Sequence, residues 1–257
     1  MELVLYTAKD RIGYITLNRP EKRNALSQEV VTGLKEAFTR AENDPDVKVV
    51  VLQANGDAFC AGADLAYLQQ LQKFSFEENL ADSNQLKELF LKIYQLQKVV
   101  IAKVQGHALA GGCGLTSVCD FVFAVPEAKF GYTEVKIGFI PALVLVFLVR
   151  KIGEKQARHL LLSGELTQGE DAKNFGLINF LVPKEKLEDA VLELARKLIG
   201  NNSAQSMSLT KQMIDRVQSM TLEEALTYAA KMNAEARASA DCKKGINAFL
   251  NKQDLSW

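Results

Sequence analysis

Two short stretches of this 257-residue chain strip side chains from the backbone where a helix is expected to begin. One is Gly106-His107-Ala108-Leu109-Ala110-Gly111-Gly112-Cys113-Gly114, the other Phe59-Cys60-Ala61-Gly62-Ala63-Asp64. Small residues at a helix start leave amide N–H groups without intrahelical acceptors, at the positive end of the helix dipole. Such a place can hold an oxyanion. Two of them side by side can aim two donors at one oxygen as negative charge develops on it, for about 3 kcal/mol of transition-state stabilisation per donor. A single glycine-rich loop is more simply read as tight strand-to-helix packing. Two at matched positions point to a shared site.

The match is an internal repeat. Lys48-Val49-Val50-Val51-Leu52-Gln53-Ala54-Asn55-Gly56-Asp57-Ala58-Phe59-Cys60-Ala61-Gly62-Ala63-Asp64-Leu65 is echoed 50 residues later by Lys98-Val99-Val100-Ile101-Ala102-Lys103-Val104-Gln105-Gly106-His107-Ala108-Leu109-Ala110-Gly111-Gly112-Cys113-Gly114-Leu115, with seven of eighteen positions identical. Each copy reads as a buried strand, a small-residue loop and a helix start. Stacked units of this kind place both loops at the same ends of neighbouring strands.

The elements around the repeat follow from its flanks. Leu3 to Tyr6 and Ile12 to Leu17 read as a hairpin turning near Lys9-Asp10-Arg11, closed by Asn18-Arg19-Pro20. Ser27 is a good N-cap for a helix carrying Val30, Leu34, Phe38 and Ala41 at helical spacing to about residue 43. A helix is expected over 77–97, while 68–76 is polar and without a clear period. Short strands are expected at 120–125 and 128–130. The chain beyond Pro141 reads as mainly helical, with helices at 143–151, 155–162, 168–174, 187–199, 204–217, 222–236 and 242–251 and a strand at 177–182. No Pro/Gly-rich linker divides these parts, so an α/β core over 1–200 with a C-terminal helical region over 201–257 is expected.

Composition narrows the classes of function. With 31 basic and 31 acidic residues the chain has no overall field to draw it to nucleic acid or to an anionic membrane. Four cysteines (Cys60, Cys113, Cys119, Cys242) without CxxC pairing and only two histidines offer neither a disulfide framework nor a metal site. The acidic start Met1-Glu2-Leu3-Val4 is unlike a signal peptide, and the longest apolar run, 137–149, is too short to span a bilayer, so a cytoplasmic protein is expected. Gly112-Cys113-Gly114 begins a dinucleotide-type motif, but Ser117 stands where its third glycine belongs; no GxxxxGK[ST] run and no GxSxG elbow occur. His107 and His159 read as a structural hydrogen-bonder and a helix surface residue, and Cys60 and Cys113 as small packing groups.

The elements Phe59-Cys60-Ala61-Gly62-Ala63-Asp64-Leu65, Gly106 to Cys113, Phe130-Gly131-Tyr132-Thr133-Glu134 and Gly138-Phe139-Ile140-Pro141 resemble those of the enoyl-CoA hydratase/isomerase (crotonase) superfamily. Leu17-Asn18-Arg19-Pro20 with Asn24-Ala25-Leu26, and Ala172 with Gly176-Leu177-Ile178, extend the resemblance over essentially the whole chain. It implies a crotonase (ClpP/crotonase-like) stacked ββα superhelix. In it the N–H groups of Ala63 and Gly111 would hold a thioester oxygen and Glu134 would be the general acid/base. Arg23, Ala25, Ala61, Ala63, Asp64, Leu65, Ala66 and Gly111 would contact the coenzyme A carried by the substrate, with Arg19, Lys22 or Arg23 near its phosphates. No separate cofactor and no metal are implied, the partner is an acyl-CoA thioester, and a homotrimer or dimer of trimers is expected.

Two departures from the family pattern bear on the reaction. Family hydratases usually carry a second glutamate directly after Gly-Gly-Cys, and here Gly114 stands in its place. Paired carboxylates let one hold the water while the other delivers the proton, whereas a shift of a double bond needs one base. The second departure follows Pro141, where family members often continue with glycines and this chain has Ala142-Leu143-Val144-Leu145-Val146-Phe147; their bulk fits a narrowed acyl pocket or a core helix equally well. An enoyl-CoA hydratase is expected, with a one-glutamate 3-enoyl to 2-enoyl-CoA isomerase as the alternative. A non-catalytic acyl-CoA or acyl-carrier binding protein, and a decarboxylase or dehydratase of a branched acyl thioester, use the same donors.

Overall fold

The computed structural model of the protein describes residues 2–257, apart from the side chain of Leu65. Val4–Lys9 (β1) and Ile12–Leu17 (β2) form the expected hairpin, turning through Asp10 and Arg11, both at positive φ (53° and 63°). Two consecutive left-handed residues give the turn whose twist matches that of the strands it joins. Ser27 caps Gln28–Asn43 (α1) by accepting from the Val30 amide, and α1 buries Val30, Leu34, Phe38 and Ala41.

The repeat occupies the middle of the sheet. Val49–Ala54 (β3) follows β2 in parallel. Leu65–Leu71 (α2) and Phe76–Gln95 (α3) lead to Val99–Val104 (β4), parallel to β3. Val49 pairs with Val99, Val50 with Val100, Val51 with Ile101 and Leu52 with Ala102, so the pairing register is the same 50-residue displacement as the sequence repeat. Val49 to Leu52 and Val100 to Ala102 are all fully buried, as expected of central parallel strands covered on both faces. Each such Val, Leu or Ile contributes about 1.5–3 kcal/mol. The unpatterned stretch 68–76 holds the end of α2 and a capping box in which Ser75 and Glu78 start α3.

Ala108–Leu109 (β5), Gly111–Ser117 (α4), Phe121–Ala124 (β6) and Lys129–Gly131 (β7) complete the next turn of the chain. Ala142–Ser163 (α5) runs where two helices were expected and is broken at Gly153 (φ 77°, ψ 164°). Thr167–Gln168 (β8), Gly169–Asn174 (α6) and Phe180–Leu181 (β9) follow. The strand expected over 177–182 is thus shortened. The amides of Leu177 and Ile178 bond back to the Ala172 carbonyl after Gly176 (φ 79°), which withdraws them from the sheet.

The large sheet has the order β1-β2-β3-β4-β6-β9 and the small one β5-β7-β8. Single bridges Leu26–Ala63 and Cys60–Ala108 continue the small ladder through the loops. Each turn of the chain therefore adds one strand to the large sheet and one rung to the small ladder, a stacked ββα arrangement. Leu187–Asn201 (α7) packs on β3, β4 and β6. Ala204–Val217 (α8) is tied to the core by Lys211, whose Nζ meets Asp120 at 2.7 Å and the carbonyls of Ile93 and Lys98. Leu222–Ala238 (α9) buries no residue and Ala240–Leu250 (α10) only Ala248. Among the described residues no helix is long and apolar enough to cross a membrane.

The two repeat loops interlock backbone against backbone. A Cβ at Gly112 would lie 2.3 Å from the Cys60 carbonyl oxygen, and one at Gly106 1.8 Å from that of Asp57. Gly112→Ala is expected to lower stability by about 3 kcal/mol, the upper end of the overpacking range. Gly200→Ala, in α7 with open space around it, should be neutral or stabilising by up to about 1 kcal/mol. Urea midpoints at constant m-value check both.

Candidate active site

The turn at 19–26 organises the first loop. Arg23 and Asn24 sit at positive φ (50° and 54°), and the buried Asn24 side chain accepts from the Arg19 amide at 2.8 Å. It also donates to the carbonyls of Asn55 (2.8 Å) and Ala58 (2.9 Å). Ala61 N–H bonds to the Arg23 carbonyl, Leu26 N–H to that of Gly62, and Asp64 N–H to that of Leu26. In such a bridge the residue between the two bonded neighbours turns its own N–H to the opposite side. That residue is Ala63, and its N–H faces away from Leu26.

The second loop meets it from that side. Leu109 N–H bonds to the Cys60 carbonyl and Cys60 N–H to that of His107. Ala110 gives its N–H to Gly131 and adopts φ 49°, ψ −122°, a conformation unusual for a residue with a side chain. This turns the next peptide, so that Gly111 opens α4 with its N–H unpaired within the helix. A Cβ on Gly62 (φ 90°) would stand 3.5 Å from the Gly111 nitrogen and 2.8 Å from the Ala110 Cβ. Among the described residues neither the Ala63 nor the Gly111 N–H donates to another backbone group.

Glu134 starts a 3-10 turn, Glu134–Ile137, that follows β7. Its side chain is partly shielded, and Oε2 is buried with no hydrogen-bond partner among the described residues. Burial therefore raises its pKa above the ordinary 4.5, against a smaller lowering by its own backbone N–H. Ala63, Gly111 and Glu134 line one cavity of about 380 Å³, whose other walls include Leu26, Leu68, Leu86 and Val144. A larger cavity, about 820 Å³, opens between α5 and α8 around Tyr94, Phe147 and Trp257 and holds none of the three. The smaller one brings together two backbone N–H groups without backbone acceptors, a desolvated carboxylate and apolar surface.

The place beside Gly114 is filled. A Cβ there would lie 2.4 Å from Val144 Cγ1 and 3.0 Å from Phe90 Cζ, so apolar side chains occupy the volume a larger residue would need. The bulk after Pro141 divides between the cavity wall and the core. Leu143 and Val144 line the cavity, while Phe147 and Leu148 are buried in the core, Phe147 edge-on to Phe90.

Ala61 lines the cavity beside Ala63; Ala25 is buried in the turn behind them and Arg23 exposed on it. Leu65 opens α2, and its side chain lies outside the described residues. The Ala66 N–H is already bonded to Asp64 Oδ1 at 2.8 Å. Asp64 also caps Tyr67 and takes the Arg19 guanidinium at 2.7 Å. Burial acts to raise its pKa, but those N–H groups and Arg19 outweigh it and hold the carboxyl below its usual range. The Asp64 carboxylate and Arg19 are thus engaged with each other, leaving Lys22 and Arg23 as the exposed basic groups of the turn. Cys60 and Cys113 are buried thiols pushed up to about 12 and about 11 by desolvation, and His107 Nδ1 accepts from the Lys129 amide.

Tyr67 and Asp82 also line the cavity and were not singled out from the sequence. Tyr67 adjoins the polar stretch without a period. The available signal was the four-residue spacing Asp82, Leu86, Phe90 on one face of α3.

Residues 7–257 match the family model described as enoyl-CoA hydratase/isomerase. A Thermus thermophilus relative is 43% identical over 245 residues, 95% of this chain and 96% of its own length. The mitochondrial enoyl-CoA hydratase of Pongo abelii is 34% identical over 96% of this chain and 83% of its own. The crystal structure of an enoyl-CoA hydratase from Mycobacterium smegmatis superposes with a TM-score of 0.93 at 32% identity, covering 99% of this chain and 98% of that one.

Because burial raises the Glu134 pKa in the fold, its contribution to stability is present at low pH and is lost as pH rises through the raised value. Glu134→Gln mimics the protonated form. It should melt at higher temperature than the unmodified protein at neutral pH, with the difference vanishing below about pH 4, where the carboxyl is protonated in both folded and unfolded states. Melting temperatures across pH check this.

Proposed function

The chain belongs to the enoyl-CoA hydratase/isomerase family, and from that premise we propose that it is an enoyl-CoA hydratase acting through a single glutamate. The observation that carries this reading is the meeting of the Ala63 and Gly111 N–H groups with the Glu134 carboxylate in one largely apolar cavity. The substrate carbonyl oxygen accepts from both N–H groups. As a water oxygen bonds to C3, the π electrons move to C2 and the carbonyl oxygen, and Glu134 takes a proton from the water. The enolate then collapses as Glu134 returns that proton to C2. One C–O and one C–H bond form, one π bond is lost, and the glutamate is regenerated. This chemistry uses no cofactor beyond the coenzyme A of the substrate.

A second reading is favoured by the filled space at Gly114. With Val144 and Phe90 there, no second carboxylate holds a water, and the same glutamate can remove a C2 proton from a 3-enoyl thioester and return it at C4. The two reactions share the donors, the base and the enolate. They differ in whether water enters.

For coenzyme A, the exposed Arg23 and the backbone from Ala61 through Asp64 to Ala66, with Ala25 and Leu65 beside them, are the proposed contacts. Association into a homotrimer or a dimer of trimers is supported by the exposed Leu222, Leu226, Phe249 and Leu250 of α9 and α10, and light scattering measures it. A cytoplasmic location is proposed on the four cysteines, each a free thiol, a state that a reducing compartment maintains.

Glu134→Gln is expected to bind CoA esters with little change and to lose at least about two orders of magnitude in turnover. Near-normal turnover by that variant removes Glu134 from the mechanism. Chromatography followed by mass spectrometry of products formed in 18O-water separates the readings: labelled 3-hydroxyacyl-CoA from the 2-enoyl ester marks hydration, and unlabelled 2-enoyl-CoA, resolved from its isomer, from the 3-enoyl ester marks the shift. Gly114→Glu by itself should not raise hydration and should lower stability by about 1–3 kcal/mol, because Val144 and Phe90 fill the site. Urea denaturation and the same product assay test it.

A further inference from the structure

The cavity wall carries a second pair of polar side chains besides Ala63, Gly111 and Glu134. Along one face of α3, Phe90 packs at Gly114, Leu86 follows, and Asp82 stands eight residues from Phe90, about 12 Å along the helix axis. From α2, Tyr67 reaches Asp82 and donates its hydroxyl to Oδ1 at 2.5 Å. That uses the only proton the phenol has. Burial first, then the bond to Asp82 and its charge, push the Tyr67 phenol well above its usual range, so the proton stays on it.

What the pair has left is acceptors: the lone pairs of the phenol oxygen and Asp82 Oδ2, which has no protein partner among the described residues. Among those residues no lysine, arginine or histidine lines the cavity. Of the neighbouring polar groups, Gln85 accepts from Lys35 through Oε1 at 2.7 Å and keeps its amide N–H groups, and Ser83 is exposed at the rim.

We propose that Tyr67 and Asp82 read the distal end of the acyl chain and select one bearing a hydrogen-bond donor, in the first instance a hydroxyl. A hydrocarbon chain of the same length would dehydrate both acceptors and offer nothing in return. A chain ending in a carboxylate would bring a like charge to Asp82 with no cation in the cavity to offset it. A hydroxyl donates to Oδ2 or to the phenol oxygen. The proposal rests on the reading of this cavity as the acyl site, and a bond that merely pinned α2 to α3 would be indifferent to the end of the chain.

The test uses three medium-chain 2-enoyl-CoA esters matched in length and ending in a methyl, a hydroxymethyl or a carboxylate group. Dissociation constants are measured by calorimetry beside kcat/KM, so that a protein without hydratase turnover, which would refute the proposed function, still yields the selectivity. The unmodified protein is expected to favour the hydroxyl ester over the methyl ester by roughly tenfold or more, and over the carboxylate ester by a larger factor. Asp82→Leu should reverse the first preference. Asp82→Asn, which keeps the size and supplies a donor, should improve the carboxylate ester relative to the hydroxyl ester by at least about tenfold; it decides alone if the leucine variant does not fold. An unmodified protein that prefers the methyl ester, or Asp82 variants whose ratios stay within about twofold of the original, overturns the proposal.

Discussion

The proposed site depends on two peptide N–H groups, of Ala63 and Gly111, being left without backbone acceptors at the wall of one cavity. Backbone donors are almost always satisfied in a fold, so leaving two free requires that their neighbours be fully occupied. Here they are. Leu26 takes the bonds on either side of Ala63, and Gly131 takes the Ala110 N–H before the chain turns at positive φ to present Gly111. Glycine at 62 and 112 permits the approach, and a methyl at either position would strike the opposing loop. The three side-chain hydrogen bonds of Asn24 hold the turn that supplies Leu26.

Opposite these donors the protein removes water. Glu134 is raised by desolvation rather than by a neighbouring carboxylate, and Gly114 lies under Val144 and Phe90. A protonated and an ionised Glu134 are thereby brought closer in free energy, which suits the proposed role of taking a proton and returning it. The same dryness costs stability near neutral pH and, in the proposed reaction, strengthens the interaction of the enolate oxygen with the two N–H groups. Gly114 and Val144 act as a pair: the glycine is tolerated because the valine fills the space above it.

Much of the fold is legible in the residues. The apolar runs at 49–52 and 99–102, the Ser27 cap, and helices α1 and α7 to α9 follow from periodicity and capping, and the 50-residue repeat reappears as the β3–β4 register. The less accurate expectations fall where tertiary hydrogen bonding competes with pattern. Leu177 and Ile178 read as strand residues, but the end of α6 claims their amides. The stretch 68–76 has no period because α2 is short and the first turn of α3 is set by its Ser75 cap rather than by an apolar stripe.

The family resemblance alone marked Glu134. The sequence by itself determined that two small-residue loops follow equivalent strands and that Gly114 cannot supply a carboxylate. These are properties of residue type and spacing, carried by a repeat that local physics can read. Only the tertiary structure decided that the space at Gly114 is filled rather than open, that Asp64 and Arg19 are engaged with each other, and that Tyr67 and Asp82 face the same cavity as Glu134. The physical reason is that each of these rests on contacts between residues far apart in the chain: Val144 lies thirty positions from Gly114, and Tyr67 and Asp82 come from different helices. Which side chains share a dry volume is set by how helices stack on the sheet, and no local pattern encodes it.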